Sequence, residues 1–362
     1  MQISLDRQAL HRIPELDRDL PETMAYLRSS LEKLSCQVFS PMGGALCAWF
    51  NFGAADAIAF RSDADALPVE EQTGLPFASC HPGKMHACGH DGHMAILLEL
   101  ARRLNEKKEL PHNVLLVFQP GEEVTGGAKD LCETRVFSKY NVKAIFGLHM
   151  WPDLEAGVIA SRKGALMARS CEVKVDIFGQ SAHIARAAEG IDALAAGVEF
   201  YRKACAMEGA LPKNVRRLLK FGKMQSGTVC NVISDHTRLE GSLRAYQDEL
   251  FYSLRAGLVS IGKEVERSYG CTVSIHMEDG YPAVWNPEEL YDKIHGLLPF
   301  RELEEPSMTA EDFSWYQRYL PGMFFFLGVG ETPSLHSAEF DFDENILLKG
   351  ADFFEKLAEC YE

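Results

Sequence analysis

No run of apolar residues in this chain is long enough to cross a bilayer, which excludes a helical membrane anchor. The opening stretch, MQISLDRQALHRIPEL, lacks the charged-then-apolar pattern of a signal peptide. The ten cysteines (36, 47, 80, 88, 132, 171, 205, 230, 271 and 360) form no C-x-x-C pair. Without a secretion signal they read as reduced thiols in a cytoplasmic protein, most of them small core hydrophobes. Positive charge is also in short supply. Lys and Arg total 37 against 52 Asp and Glu, a net charge of −15. That balance argues against nucleic acid or an anionic membrane as partner, while leaving room for a local basic pocket that takes a small anion. There are no internal repeats and no low-complexity segments.

What is present is a chain of 362 residues, beyond the size at which a single hydrophobic core usually stops growing, so two domains are expected. Residues 20–34 carry helical periodicity, ALCAWFNF and DAIAFRSD read as strands, HMAILLELARRLNEK is an amphipathic helix, and NVLLVFQP and NVKAIFGLHMWP are short buried strands. That alternation predicts an α/β domain with a mostly parallel sheet and helices on both faces. Near residue 165 the character changes. SCEVKVDIF alternates strictly, a helix follows over GIDALAAGVEFYRKACAM, then come two strands, a long helix and CTVSIHME. The order β-α-β-β-α-β predicts a ferredoxin-like α+β unit with one polar face. The first style returns near residue 280, with GMFFFLGVG and a terminal helix. The expected organisation is one domain from 1–164 and 280–362, interrupted by an inserted domain at 165–279.

Ligand sites in open α/β sheets lie beyond the carboxyl ends of the strands. Asp63 and Asp65 follow AIAF, Glu122 and Glu123 follow LLVFQPG, and His149 follows AIFGL. Cys88 and His90 sit in the glycine-bearing loop KMHACGHDGH, and His336 lies past MFFFLG in SLHSAEF. Carboxylates, imidazoles and a thiol would meet at one sheet edge, a donor set suited to zinc or manganese. With five or more candidate ligands, two ions are expected, about 3.5–4 Å apart, sharing a bridging thiolate or water. Of the adjacent glutamates, one can bind metal while the other works as a base. His112, His236, His276 and His295 read as ordinary surface or hydrogen-bonded histidines, and His11, His81, His86 and His93 as non-ligands.

MHACGHDGH, QPGEE, GLHMWP and SLHSAEF, in this order, resemble the two-metal amidohydrolases of the aminoacylase and carboxypeptidase superfamily. The resemblance is to the branch of hippurate hydrolase, plant indole-acetyl-amino-acid hydrolases and bacterial N-acetyldiaminopimelate deacetylase. It runs from RSDADALPVEE (61–71) through MTAEDF (308–313) to the terminal helix. The resemblance implies a zinc-exopeptidase-like catalytic domain, with Cys88, His90, Glu123, His149 and His336 as ligands of two divalent ions, Mn²⁺ or Zn²⁺. It further implies Glu122 as general base and Asp65 as the residue that orients the site. The insertion would be a lid that also forms a homodimer. In it, His183 of QSAHIA would support the reacting carbonyl oxygen, and Asn231 of CNVISD and Arg244 of GSLRAY would grip a substrate carboxylate. The implied reaction is hydrolysis of the amide bond of an N-acyl amino acid, N-acetyl or aromatic-acyl. One departure stands out. Relatives continue the lid histidine as H-A-A-x-P-H, whereas this chain reads HIARAAEG, without the proline or the second histidine.

Three other readings compete. A dipeptidase or exopeptidase would keep the metals and take a free amine. A cysteine hydrolase would use Cys88 as nucleophile, for which His90, two residues away in the same loop, is a poor base. A metal-dependent binding protein would lack catalysis, although the base and all five ligands are present.

Overall fold

The computed structural model describes residues 1–362, which divide into two compact units. Unit 1 comprises Met1–Leu166, Val284–Pro306 and Asp312–Glu362; unit 2 comprises Met167–Ala283 and Ser307–Glu311. The strands in chain order are β1 (Gln37–Phe39), β2 (Leu46–Phe50), β3 (Ala57–Asp63), β4 (Asn113–Gln119), β5 (Val142–Pro152), β6 (Ile159–Ser161) and β7 (Gly164–Met167), then β8 (Arg169–Phe178), β9 (Arg217–Ser226), β10 (His236–Ala245) and β11 (Thr272–Met277), and finally β12 (Val284–Asn286), β13 (Arg301–Glu302) and β14 (Gly322–Gly330).

Unit 1 is built on an eight-stranded sheet of order β1-β2-β4-β3-β5-β14-β6-β13. The middle four strands, β4, β3, β5 and β14, are mutually parallel, and β1, β2 and β6 join antiparallel. These middle strands are buried almost throughout, which is why they read in sequence as continuous apolar runs rather than alternating ones. Successive residues of β14 show both faces covered. Phe325 meets Phe353 of the terminal helix (Leu347–Cys360), while its neighbour Phe324 meets Phe313 on the other side. The helix His90–Glu106 packs on the same face as the terminal helix, presenting Met94, Leu97, Leu98 and Leu104 to the core. The chain leaves β3 for β4 on one side, then returns across β3 to lay β5 on its other side. The carboxyl end of β3 is therefore a switch point, where open α/β sheets place their ligands.

Unit 2 carries a four-stranded antiparallel sheet of order β11-β8-β10-β9, with helices Ala193–Gly209 and Asp248–Tyr269 between its strands. Chain order and sheet order together are those of the ferredoxin-like unit read from the sequence. Val173, Val175 and Ile177 of β8 are fully buried while the residues between them are not, because the helices cover one face only. Unit 2 begins at Met167, against the expected 165, and ends at Ala283, against 279; it also recruits Ser307–Glu311. That short segment is held by the backbone, with Ala168 N–H donating to Thr309 O at 2.8 Å and a bridge between Met167 and Ser307. It has no apolar periodicity, so nothing in its sequence announces the attachment.

Candidate metal centre

Glycine places the first two donors. Gly89 adopts φ +85° as the residue before the helix His90–Glu106, a conformation that would strain any side chain. It turns the chain so that Cys88 ends the loop and His90 opens the helix; the sequence reading had started that helix near His93. After β4, Gly121 (φ +72°) makes the turn that presents Glu122 and Glu123. Asp65 fixes that turn. One of its carboxylate oxygens accepts the N–H of Glu122 at 3.0 Å and the other the N–H of Glu123 at 3.1 Å. His149 comes from the end of β5. His336 comes from the segment after β14, with φ +66° and its N–H donating to Ala87 O at 2.8 Å.

These residues meet. Donor atoms of Cys88, Glu123 and His336 all lie within 4.8 Å of one another, as do those of His90, Glu122 and Glu123. His149 Nε2 is 3.3 Å from Cys88 Sγ, His90 Nε2 is 3.7 Å from Glu123 Oε1, and His336 Nε2 is 3.5 Å from Glu123 Oε2. The imidazoles of His90 and His149 are prepared as ligands. Each donates Nδ1–H to a backbone carbonyl, that of Asp65 at 2.8 Å and that of Met150 at 2.7 Å. That bond fixes the tautomer and leaves the Nε2 lone pair pointing into the cluster. Two buried atoms there, His90 Nε2 and Glu123 Oε1, have no hydrogen-bond partner in the protein. Orphaned buried polar atoms cost free energy and call for a partner.

The electrostatics point to a cation. Burial, reinforced by Glu123, Glu122 and Asp63, pushes the Cys88 thiol well up. Burial pushes Glu123 up to about 7, against the pull of its hydrogen bond with Cys88. Burial and the Glu123 charge raise Asp65. Burial lowers His149 to about 3 and also lowers His90 and His336, so the imidazoles are neutral and carry free lone pairs. Acidic groups that ionise only reluctantly side by side, next to neutral imidazoles, form a site that a divalent cation would complete. The residues fit the ions that the sequence motifs imply.

In unit 2, His183 is exposed and its Nδ1 accepts from Ala185 N–H at 3.2 Å. It lies beside Asn231: Ile184 N–H donates to Asn231 O at 2.9 Å, and His183 bridges Val232. Arg244 is elsewhere. It is half-buried near the far end of β10, donating to Met308 O at 2.5 Å and to Ser242 Oγ at 3.4 Å. The His183–Asn231 pair lies beyond the His236 end of that strand. Eight residues of extended chain separate His236 from Arg244, roughly 25 Å. Within one copy of unit 2, Arg244 and the His183–Asn231 pair therefore stand toward opposite ends of β10.

Residues 59–359 match the model of peptidase family M20/M25/M40. The chain belongs to that family. An N-acetyldiaminopimelate deacetylase of Streptococcus uberis is 34% identical over 358 residues, 94% of each protein. A hydrolase of Staphylococcus epidermidis, itself uncharacterised, is 32% identical over 99% of this chain and 98% of its own length. Among solved structures, the Bacillus subtilis YxeP protein, described as a dinuclear metal-binding peptidase of family M20, superimposes with a TM-score of 0.86. It is 30% identical, with 99% of this chain and 96% of that one covered. As an M20 protein the chain is a metal-dependent amidohydrolase.

The M20 site rests on residues that sequence reasoning passed over. His93, read as a loop histidine, lies in the first turn of the helix. It donates Nδ1–H to Asp63 at 2.6 Å and accepts Met150 N–H on Nε2 at 2.9 Å. Its donor atom lies within 4.8 Å of those of Asp63, His90 and His149, but both nitrogens are engaged, so His93 braces the β5 end that carries His149 and offers no free lone pair. Burial opposes ionisation of Asp63, but the hydrogen bond from His93 and the Arg61 charge at 2.8 Å outweigh it and hold Asp63 well below the usual carboxylate range. Arg61, fully buried, also reaches Gln119 and Asp312, each at 2.8 Å. The available signal was an arginine inside the apolar run AIAFRSD. A buried charge is retained only with partners.

Proposed function

We propose that this M20 chain removes the acyl group from N-acyl amino acids, N-acetyl or aromatic-acyl, releasing a free amino acid and a carboxylic acid. The observation that carries the reading is the convergence of five donor side chains, one of them from a glutamate pair whose amides are held by one aspartate. Cys88, His90, Glu123, His149 and His336 would hold two divalent ions, Mn²⁺ or Zn²⁺. When bound, such ions polarise an amide carbonyl and make water a nucleophile near neutral pH.

The chain's own groups do the rest. Glu122 takes the proton from the attacking water and passes it to the departing amine. Asp65 holds the Glu122 backbone so that its carboxylate is already placed when substrate arrives. Arg244 pairs with the free carboxylate of the amino-acid half, and Asn231 adds a neutral donor. His183 donates to the carbonyl oxygen as negative charge builds on it. The distance between Arg244 and the His183–Asn231 pair supports a homodimer in which two copies of unit 2 contribute to one site. β9 is a free sheet edge, and beside it Leu194, Val198, Tyr201 and Met224 are exposed, a surface suited to a second copy. A solution mass equal to one 40.4 kDa chain would remove that part of the reading. Ten free cysteines support placing the protein in the cytoplasm, and no helix is long and apolar enough to cross a membrane.

The test is amine release by metal-supplemented enzyme over N-acetyl (N-acetyldiaminopimelate included), N-benzoyl and long-chain N-acyl amino acids, with dipeptides alongside. Preference for N-acyl amino acids over dipeptides is expected. Turnover of dipeptides alone would replace the proposal with a dipeptidase.

A further inference from the structure

Arg7 lies on the first helix (Gln2–His11) and is 1% exposed. Its guanidinium reaches three acidic side chains from two remote segments. Nε donates to Asp91 at 2.9 Å, one NH₂ group to Asp341 at 2.8 Å, and the other to Glu344 at 3.3 Å. Its planar face lies over Phe342 and Phe77, at 4.4 and 4.9 Å from their ring centroids. Asp91 directly follows His90, and Asp341 and Glu344 lie on the segment that begins at His336. His11 secures the same aspartate, with Nδ1 2.8 Å from Asp91 Oδ2 and Nε2 3.2 Å from Glu71 Oε1. Gln8 donates to both oxygens of Glu344.

We infer that Arg7 is a positioning residue for the cation site: it sets the distance between the Cys88–His90 turn and the His336 segment. The inference rests on the ligand assignment proposed above. A buried charged network is a weak source of stability, because desolvation offsets much of the attraction. What it does supply is fixed geometry. Only arginine offers a planar fork that can satisfy three acceptors approaching from different directions; lysine presents a point charge on a flexible stem. The direct hydrogen bond between the two segments is His336 N–H to Ala87 O, and Phe340 and Phe342 pack beside Gly89 and Gly92. The Arg7 fork provides the brace beneath it. Groups behind first ligands characteristically change metal affinity about 10–100-fold when lost.

The experiment measures Mn²⁺ and Zn²⁺ dissociation constants by competition with a chromophoric chelator, together with thermal unfolding of the metal-free protein. Wild type, Arg7→Lys and Asp341→Asn are compared; the last changes a partly exposed partner and leaves the arginine in place. Arg7→Lys is expected to weaken binding of at least one ion about tenfold or more, and Asp341→Asn several-fold, in protein that remains folded when metal-free. Wild-type affinity in both variants, even with a lowered melting temperature, would overturn the inference and leave the ligand assignment standing. If Arg7→Lys fails to fold, Asp341→Asn decides alone by the same criterion. Absence of metal binding in the wild type would overturn the ligand assignment and this inference together.

Discussion

Replacing Glu122 with glutamine separates the base from the ligands. The substitution preserves shape and removes only the ability to take and carry a proton. The Glu122 backbone N–H that Asp65 holds at 3.0 Å is untouched, so the turn stays in place. General-base catalysis is worth about 10²–10⁴-fold, or about 3–5 kcal/mol in activation free energy. Glu122→Gln should therefore lower kcat by that factor, with little change in KM and full metal content by elemental analysis. The paired control is Glu123→Gln. Its carboxylate oxygens are 3.7 Å from His90 Nε2 and 3.5 Å from His336 Nε2, so its loss should empty or weaken the ion site. Metal loss in Glu122→Gln with full occupancy in Glu123→Gln would reverse the two roles. Substantial turnover in a metal-loaded Glu122→Gln protein would refute the mechanism.

Asp65→Ala removes the two hydrogen bonds that hold the Glu122 and Glu123 amides, each worth about 0.5–1.5 kcal/mol. It should lower the unfolding free energy, measured by urea titration, and reduce metal affinity; unchanged affinity would show that the turn holds itself. Chelator treatment should abolish activity, with Mn²⁺ or Zn²⁺ restoring it; activity that survives full metal removal would favour Cys88 as a nucleophile. Burial works against charge on His11, but its hydrogen bonds to Asp91 and Glu71 outweigh this and raise its pKa to about 9. Because the folded value lies above the ordinary 6.5, this stabilisation is fully present below about pH 6.5 and is lost as pH rises through 9. The contribution is on the order of 3 kcal/mol, so urea midpoints should fall between pH 7 and 10 in wild type and less so in His11→Gln. A flat wild-type profile would contradict it.

The fold was legible because its signals are local. β3, β4, β5 and β14 are buried on both faces and announce themselves as apolar runs, while β8 is buried on one face and alternates. Residues ending those strands could be listed before any coordinates, and the structure brings Cys88 together with Glu123 and His336, His90 with Glu122 and Glu123, and His149 to within 3.3 Å of Cys88. What was illegible depends on pairings between distant positions. Arg7 and His11 reach Asp91 across 84 and 80 residues, and no periodicity encodes such a contact. His93 looked like a loop residue because Gly89 starts the helix three positions earlier than the apolar pattern does. The separation of Arg244 from His183 follows from the length of β10, which motif matching does not measure.

The clasp of Asp65 on two adjacent amides has a mechanical result. The backbones of the residue that would carry the proton and the residue that would hold the ion share one anchor, so losing that single carboxylate would loosen both at their root.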